Sequence, residues 1–202
     1  MKKYFFYIFL FFSLSALAQT ETFKIVLDAG HGGKDPGKVH KKIFEKDIVL
    51  KIILLIGKEL EKHPLFKVTY TRKDDRFIEL YERGAIANKA KADLFISIHC
   101  NAYNGSANGT EAWHFYGSTE GEKLSSCIQN QIVDALGTVD RGVKGAKPGV
   151  NGLYVLSNTD AVAVLVELAF IDHAGDAQLL RSRQDEFARA IARGVTDYEG
   201  AC

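Results

Sequence analysis

The chain has 202 residues, of which 47% are hydrophobic and 25% are charged, and its formal net charge is +1. This length and balance suit a single globular domain, and no internal repeat or long linker divides the chain. A nearly neutral chain has no broad electrostatic footprint for nucleic acid, so we expect no nucleic-acid partner.

The first 18 residues have the pattern of a secretory signal peptide. A basic start precedes an apolar and aromatic run at residues 4–17, and Ala16-Leu-Ala18 matches an A-x-A cleavage signal. The run is too short and too weakly flanked for a spanning helix, and an uncleaved membrane anchor is the alternative. Cleavage removes two lysines and no acidic residue, so the formal charge falls from +1 to −1. We therefore expect residues 19–202 to form a secreted or periplasmic domain without stable membrane insertion.

Strand and helix patterns alternate along the rest of the chain. The strands are predicted at residues 22–28, 67–71, 94–99, 110–116, 153–156 and 161–170, and the helices at 45–63, from 78, 117–136 and 184–198. A glycine loop to about residue 42, a surface loop at 101–109, a loop at 138–148 and a turn at 172–178 connect them. This alternation predicts a single-domain, three-layer α/β/α fold with a mainly parallel sheet flanked by helices.

Four residues near the ends of these elements carry the candidate chemistry. His31 lies in the glycine-rich loop after the first strand, and Glu45 opens the helix that follows. His99 ends a strongly apolar strand, and Glu167 interrupts the apolar run at residues 162–170. Because the carboxyl ends of parallel strands meet at one edge of a sheet, we expect these residues to gather there.

Each of these residues alone has a plainer explanation. A lone His31 is more often a turn residue, the helix dipole favours an acid such as Glu45, and His99 is by default a satisfied core histidine. Glu167 is more informative, because burying an unpaired carboxylate is costly. It must therefore be paired, protonated, metal-bound or in an open cleft, and an ion pair with a distant arginine is the structural alternative.

Taken together, the four residues predict a hydrolytic metal site. His31, Glu45 and His99 form the His₂Glu ligand set of a catalytic zinc, with the fourth position left to water. Zinc lowers the pKa of such a water to about 7 and polarises the attacked carbonyl. Glu167, close but not bound to the metal, can take the water proton and pass it to the leaving amine. The expected chemistry is amide hydrolysis.

Further motifs follow one another at compatible spacing through nearly all of the chain after residue 18. They are Asp28–Gly37, Glu45–Asp47, Thr71–Asp75 with Leu80, Arg83 and Ala87-Asn88, Ser97–Asn101, Gly109–Glu111, Arg141–Lys144, Val155-Leu156 and Leu165–Ile171. Together they resemble the zinc-dependent N-acetylmuramoyl-L-alanine amidases of the AmiC/LytC type, the amidase-3 catalytic domain.

The resemblance implies His31, Glu45 and His99 as zinc ligands and Glu167 as the catalytic glutamate. It also implies peptidoglycan as substrate, cut at the amide between the lactyl group of N-acetylmuramic acid and L-alanine of the stem peptide. The loop at 101–109 and the segment at 117–124 are too short for the helical insertion that blocks the zinc in some relatives. We therefore expect no activator protein.

Three positions depart from the family pattern. Cys100 stands in place of a small residue, Leu168-Ala169 in place of Thr-Gly, and His173 in place of Asn. None of these changes removes a ligand or Glu167. The first two alter the shape of the cleft, and His173 adds a polar group at its rim.

Three other functions use parts of the same pattern. A zinc carboxypeptidase or endopeptidase acting on the stem peptide would use the same metal chemistry, and its products would distinguish it. A catalytically inactive peptidoglycan-binding module would lack a ligand or Glu167, and neither is missing. Phosphate binding by the loop at Gly30–Gly33 leaves Glu45 unexplained, and its carboxylate would oppose the phosphate.

The three cysteines after residue 18 are Cys100, Cys127 and Cys202. Export permits disulfides, but an odd count allows at most one bridge within a chain and leaves one thiol over. The spacing does not resemble a cysteine-based zinc site. Cys100 follows His99 on a strand and so points to the opposite face, where we interpret it as a small buried hydrophobe.

Overall fold

The computed structural model describes residues 22–151 and 153–200. Its strands are β1 (Phe23–Ala29), β2 (Val39–His40), β3 (Ile43–Phe44), β4 (Phe66–Tyr70), β5 (Leu94–Asn101), β6 (Thr110–Phe115), β7 (Asp140–Ala146) and β8 (Val162–Phe170). Its helices are α1 (Glu45–Leu60), α2 (Leu80–Ala90), α3 (Thr119–Leu136), α4 (Tyr154–Ser157), α5 (Ala174–Ser182) and α6 (Gln184–Glu199).

Six of the strands form one central sheet in the order β4-β1-β5-β8-β6-β7. All neighbouring pairs are parallel except β6 and β8, which are antiparallel. Helices α1, α3, α5 and α6 contribute to a large apolar core on one face, and α2 and α4 close a smaller core on the other. The predicted three-layer α/β architecture is confirmed.

Helix α1 shows how the apolar spacing produces this packing. Ile48, Ile52 and Ile56 recur at helical spacing and are at most 5% exposed, so their side chains face the sheet. The helix begins at Glu45 because the chain there leaves the β2–β3 hairpin. That hairpin begins within the predicted glycine loop and ends just after it, and its turn residues Lys41 and Lys42 both have positive φ.

Three predicted elements are wrong in type. The predicted loop at 138–148 contains β7, which forms because an edge strand needs only one neighbour and tolerates charged and glycine residues. The predicted strand at 153–156 is the short helix α4, because a run of four apolar residues is too short to distinguish helical from strand periodicity. The predicted turn at 172–178 contains the start of α5, which is capped by His173.

Several predictions concern residues at the margins of the described chain. The predicted signal peptide lies outside the described residues, and so does Cys202. Within residues 22–151 and 153–200, no helix has the length and apolar character needed to cross a membrane. Cys100 is a free thiol that is 5% exposed, which confirms its interpretation as a buried hydrophobe, whereas Cys127 is disulfide-bonded.

Candidate metal and catalytic site

His31, Glu45 and His99 come together at the carboxyl edge of the sheet. One potential ligand atom from each lies within 4.8 Å of those from the other two. Nε2 of His31 and Nδ1 of His99 are each 3.1 Å from the same oxygen, Oε1 of Glu45. The two imidazole rings are 4.9 Å apart and nearly perpendicular. Two nitrogen donors and one carboxylate thus converge on one small volume.

Two glycines make room for these side chains. A Cβ atom on Gly30 would lie 2.3 Å from Cε1 of His99, which is too close for any real contact. A Cβ atom on Gly37, whose φ is 63°, would lie 2.6 Å from the His31 ring and 2.7 Å from Glu45. The glycines of the loop therefore allow the backbone to approach the three candidate ligands closely.

Neighbouring groups hold the candidate ligands in orientation. Nδ1 of His31 lies 2.8 Å from Oδ2 of Asp35, in the carboxylate–histidine arrangement that fixes a ring for metal binding. Glu45 accepts hydrogen bonds from the backbone N–H groups of Lys38 and Cys100, at 2.8 and 2.9 Å. Asp35 was not among the predicted site residues, although an acidic residue four positions after a candidate ligand in the same loop could have indicated it.

The electrostatics of the cluster favour a bound cation. Burial lowers the pKa of His31, but the hydrogen bonds and charges of Glu45 and Asp35 outweigh it and raise that pKa to about 9. Burial alone would raise the pKa of Glu45, but His31 and His99 hold it far below its usual value. Glu45 therefore stays ionised, and its negative charge attracts a cation. This donor set fits a divalent metal ion.

Glu167 lies one strand away from the candidate ligands. In the register of the sheet it is opposite His99 on β5 and opposite Glu111 on β6, so the three residues share one face. Its Oε2 is buried and has no hydrogen-bond partner among residues 22–151 and 153–200. Burial, together with the charges of Glu45 and Glu111, raises the pKa of Glu167 to about 7 despite the nearby histidines. A buried carboxylate oxygen left unpartnered beside such a cluster makes Glu167 a candidate functional residue.

Arg83 binds the strand end that carries His31. It is 3% exposed and donates to Oδ1 of Asp28 at 2.7 Å and to the carbonyl of His31 at 2.8 Å. Asp28 also accepts hydrogen bonds from the hydroxyls of Thr71 and Ser97, at 2.6 and 2.7 Å. This buried network joins three adjacent strands and one helix directly beneath the candidate site.

Arg72 connects the two segments that carry His31 and Glu45. It is 2% exposed, and its Nη2 donates to the carbonyl of Gly30 at 2.8 Å and to that of Lys46 at 3.0 Å. These carbonyls belong to the residues next to His31 and Glu45 in the chain. Neither Arg72 nor Arg83 was among the predicted site residues, because burial of a charged side chain cannot be recognised from the local sequence pattern.

A cleft of about 550 Å³ opens beside the candidate ligands on the face covered by α2 and α4. His31, Asp35 and His99 lie at its polar end. The rest of its lining is largely apolar and includes Phe77, Ile78, Leu80, Leu153, Tyr154 and Leu165. A substrate in this cleft would lie against the cluster.

This fold and this cluster describe a hydrolase with a candidate metal site. The chain belongs to the N-acetylmuramoyl-L-alanine amidase family, whose sequence profile matches residues 25–197. It is therefore an enzyme that acts on peptidoglycan, as the sequence predicted.

Individual relatives agree with this membership. The uncharacterized protein YqiI of Bacillus subtilis (strain 168) is 41% identical over 179 residues, which are 86% of this chain and 84% of YqiI. The N-acetylmuramoyl-L-alanine amidase LytC of the same organism is 37% identical over 179 residues, which are 86% of this chain but only 35% of LytC.

Solved amidase structures share the fold. The N-acetylmuramoyl-L-alanine amidase from Clostridium difficile 630 superimposes with a TM-score of 0.84 at 32% identity, covering 90% of this chain and 98% of that one. The CwlD amidase from Clostridioides difficile, solved in complex with the GerS lipoprotein, gives 0.83 at 29% identity and covers 90% and 100%. The predicted fold class and family are both confirmed.

Proposed function

We propose that this enzyme hydrolyses the amide between the lactyl group of N-acetylmuramic acid and L-alanine of the stem peptide, using a zinc ion. His31, Glu45 and His99 would hold the zinc, and Glu167 would move the proton. The observation that carries the proposal is the convergence of two imidazoles on one carboxylate oxygen, with an unpartnered carboxylate one strand away. Family membership supplies the class of substrate.

The ligand residues fit zinc by donor type. When bound, zinc supplies a Lewis acid that lowers the pKa of a water molecule to about 7 and polarises a carbonyl. Asp35 lies beside Nδ1 of His31 and favours a proton on that nitrogen. Nε2, which faces Glu45, is then the nitrogen whose lone pair would bind the metal. Backbone N–H groups of Lys38 and Cys100 orient the Glu45 carboxylate without neutralising it.

Glu167 is the general base and then the general acid. Its free Oε2 accepts a proton from the attacking water and later delivers it to the amine of L-alanine as the amide breaks. Burial raises the pKa of Glu167 above its ordinary value, which makes its carboxylate a stronger base for the proton of the water. Burial in the sheet keeps this oxygen away from bulk water and available for the reaction.

Product analysis tests the proposed bond. Purified peptidoglycan is digested with the zinc-loaded enzyme and, in parallel, with the Glu167→Gln variant, and the products are analysed by mass spectrometry. We expect glycan strands with free lactyl groups and intact stem peptides from the wild type alone. Released D-alanine, or stem peptides cut internally, would instead identify a carboxypeptidase or endopeptidase.

We also propose that the enzyme acts without an activator protein. Between β5 and β6 the described chain contains no inserted helix, and the cleft beside His31 is open to solvent. The complex of CwlD with GerS makes this worth a direct test. The purified enzyme alone should digest peptidoglycan at full rate, and a rate rise of several tens-fold on adding an extract of its own cells would contradict the proposal.

Export is proposed from the sequence of residues 1–18. The mature protein recovered from outside the cytoplasm should begin at Gln19, as determined by N-terminal sequencing. Recovery of the uncleaved chain from the membrane fraction would favour the alternative of an anchor.

A further inference from the structure

Two cations lie on the side of Glu167 that faces away from the candidate metal ligands. In sheet order, His99 is on β5, Glu167 on β8 and Glu111 on β6, and these three residues are opposite one another in register. Arg141 and Lys144 follow on β7, the next strand. The proposed mechanism uses neither of them.

Glu111 holds both cations in place. It is 5% exposed, and its Oε2 accepts from Nε of Arg141 at 2.9 Å and from Nζ of Lys144 at 2.5 Å, while its Oε1 accepts from Nε1 of Trp113 at 3.1 Å. Burial alone would raise the pKa of Glu111, but the bonds from Lys144 and Arg141 hold it below its usual value. One ionised carboxylate therefore binds two cations, so the cluster of Glu111, Arg141 and Lys144 has a net charge of +1.

A β-bulge makes this arrangement possible. Thr110 pairs with Asp140 and Ala112 pairs with Val143, so three steps along β7 match two along β6. In a regular strand, residues three apart point to opposite faces. The extra residue, next to Gly142 with its φ of 81°, brings Arg141 and Lys144 to the same carboxylate. Bulges near active sites commonly redirect side chains in this way.

Both cations keep part of their surface for a ligand. The side chains of Arg141 and Lys144 are each 34% exposed, whereas that of Glu111 is 7% exposed. The Arg141 guanidinium lies 4.9 Å from the ring of Phe170, and Nζ of Lys144 lies 5.1 Å from the ring of Trp113. These contacts restrict both side chains, and Nη1 of Arg141 also donates to the backbone carbonyl of Asn108 at 3.4 Å.

We propose that Arg141 and Lys144 form a subsite that binds a carboxylate on the peptide arm of the substrate, with Glu111 as the residue that positions them. This inference rests on the proposed function, in which the cleaved amide joins a sugar to a stem peptide. Ionised donors bind carboxylates with short, strong hydrogen bonds, and a planar guanidinium adds geometric selectivity. In the cleft beside His31 the lining cation is Arg83, which is buried and paired with Asp28, so the exposed donors of Arg141 and Lys144 are the available counter-charge for an acidic peptide.

The test pairs a charge on the enzyme with a charge on the substrate. Two soluble muropeptides are used that differ only in whether the stem-peptide carboxylates are free or amidated. Steady-state constants are measured for the zinc-loaded wild type and for Arg141→Gln, Lys144→Gln, Arg141→Lys and Glu111→Gln. Lys58→Gln, an exposed lysine at the far end of α1, serves as the matched control.

We expect the wild type to prefer the free carboxylates by about tenfold or more in kcat/KM, the effect of losing one charge-assisted hydrogen bond. Arg141→Gln, Lys144→Gln and Glu111→Gln should lose most of this preference, mainly through KM for the acidic substrate. Arg141→Lys should keep part of it, and Lys58→Gln all of it.

The outcomes separate the subsite from the activity. A wild type without preference, or variants that lose the same factor against both muropeptides, would overturn the subsite. A wild type that releases no free lactyl product from either muropeptide would overturn the proposed function instead. Circular dichroism and thermal unfolding of each variant confirm that the compared proteins are folded.

Discussion

Arg83 donates a hydrogen bond from Nη2 to the backbone carbonyl of His31, at 2.8 Å. His31 is not a glycine, yet its φ is 59°, in the left-handed region that costs an ordinary residue about 1 kcal/mol or more. The surrounding structure must therefore hold this conformation, and Arg83 provides one of the bonds that do. The conformation of a candidate metal ligand thus depends on a buried cation that binds its backbone carbonyl and not its imidazole ring.

Replacing Arg83 should destabilise the whole domain. In Arg83→Met the buried carboxylate of Asp28 keeps its two hydroxyl partners but loses its directly bonded cation, so we expect the free energy of unfolding to fall by about 3–5 kcal/mol. Urea unfolding measures this loss. Arg189→Gln, at an exposed position of α6, should change stability by no more than about 0.5 kcal/mol. An equally small change in Arg83→Met would show that the buried pair is dispensable.

Replacing Arg72 should loosen metal binding while the fold is kept. In Arg72→Lys an ammonium group replaces the guanidinium that donates to the carbonyls of both Gly30 and Lys46. The segments that carry His31 and Glu45 then lose their shared hydrogen-bond partner. We expect zinc affinity to fall by about 10- to 100-fold, as for other groups that orient metal ligands. Competition with a chromogenic chelator measures the affinity. Unchanged affinity in a folded variant would argue against this positioning role.

The candidate ligands can be tested by metal content. His31→Ala and His99→Ala should each purify without stoichiometric zinc, because two ligands no longer form a stable site. His40→Ala, in the nearby β2–β3 hairpin but outside the cluster, should keep its zinc. Elemental analysis by mass spectrometry gives the result. Wild-type zinc content in both His31→Ala and His99→Ala would refute the assignment of the site.

Glu167 should be required for the catalytic rate and not for zinc binding. Glu167→Gln keeps the size of the side chain and removes its ability to accept a proton, so kcat should fall by about 10²- to 10⁴-fold while zinc content stays at the wild-type level. Release of free lactyl groups from peptidoglycan measures the rate. A variant that retains most of the wild-type rate would mean that another group moves the proton.

The ion cluster at Glu111 predicts a pH-dependent contribution to stability. The pKa of Glu111 is lower in the folded protein than its ordinary value of 4.5, so its ionised form stabilises the fold. This contribution is fully present above the unfolded-state pKa and is lost as the pH falls through the folded-state pKa. Glu111→Gln should therefore be less stable than the wild type at neutral pH, and the difference should shrink in acid. Urea unfolding of both proteins across this range measures it, and a difference independent of pH would contradict the assignment.

Much of the fold and the candidate site was predictable from local sequence. The spacing of Ile48, Ile52 and Ile56 identifies α1, and the apolar runs around His99 and Glu167 identify β5 and β8. Alternation of strands and helices then implies a parallel sheet, whose carboxyl edge gathers His31, His99 and Glu167. These features follow from periodicity and topology, which a single sequence carries.

Tertiary structure alone decided the contacts that orient the site. Arg72 binds carbonyls 26 and 42 residues earlier in the chain and Arg83 binds one 52 residues earlier, and nothing in their local sequence indicates that they are buried. Strand β7 reads as a glycine-rich loop and becomes a strand only because β6 offers it a partner. The bulge beside Gly142 likewise exists only in the register between two strands. Burial and register are properties of the packed chain, so they appear only once distant segments meet.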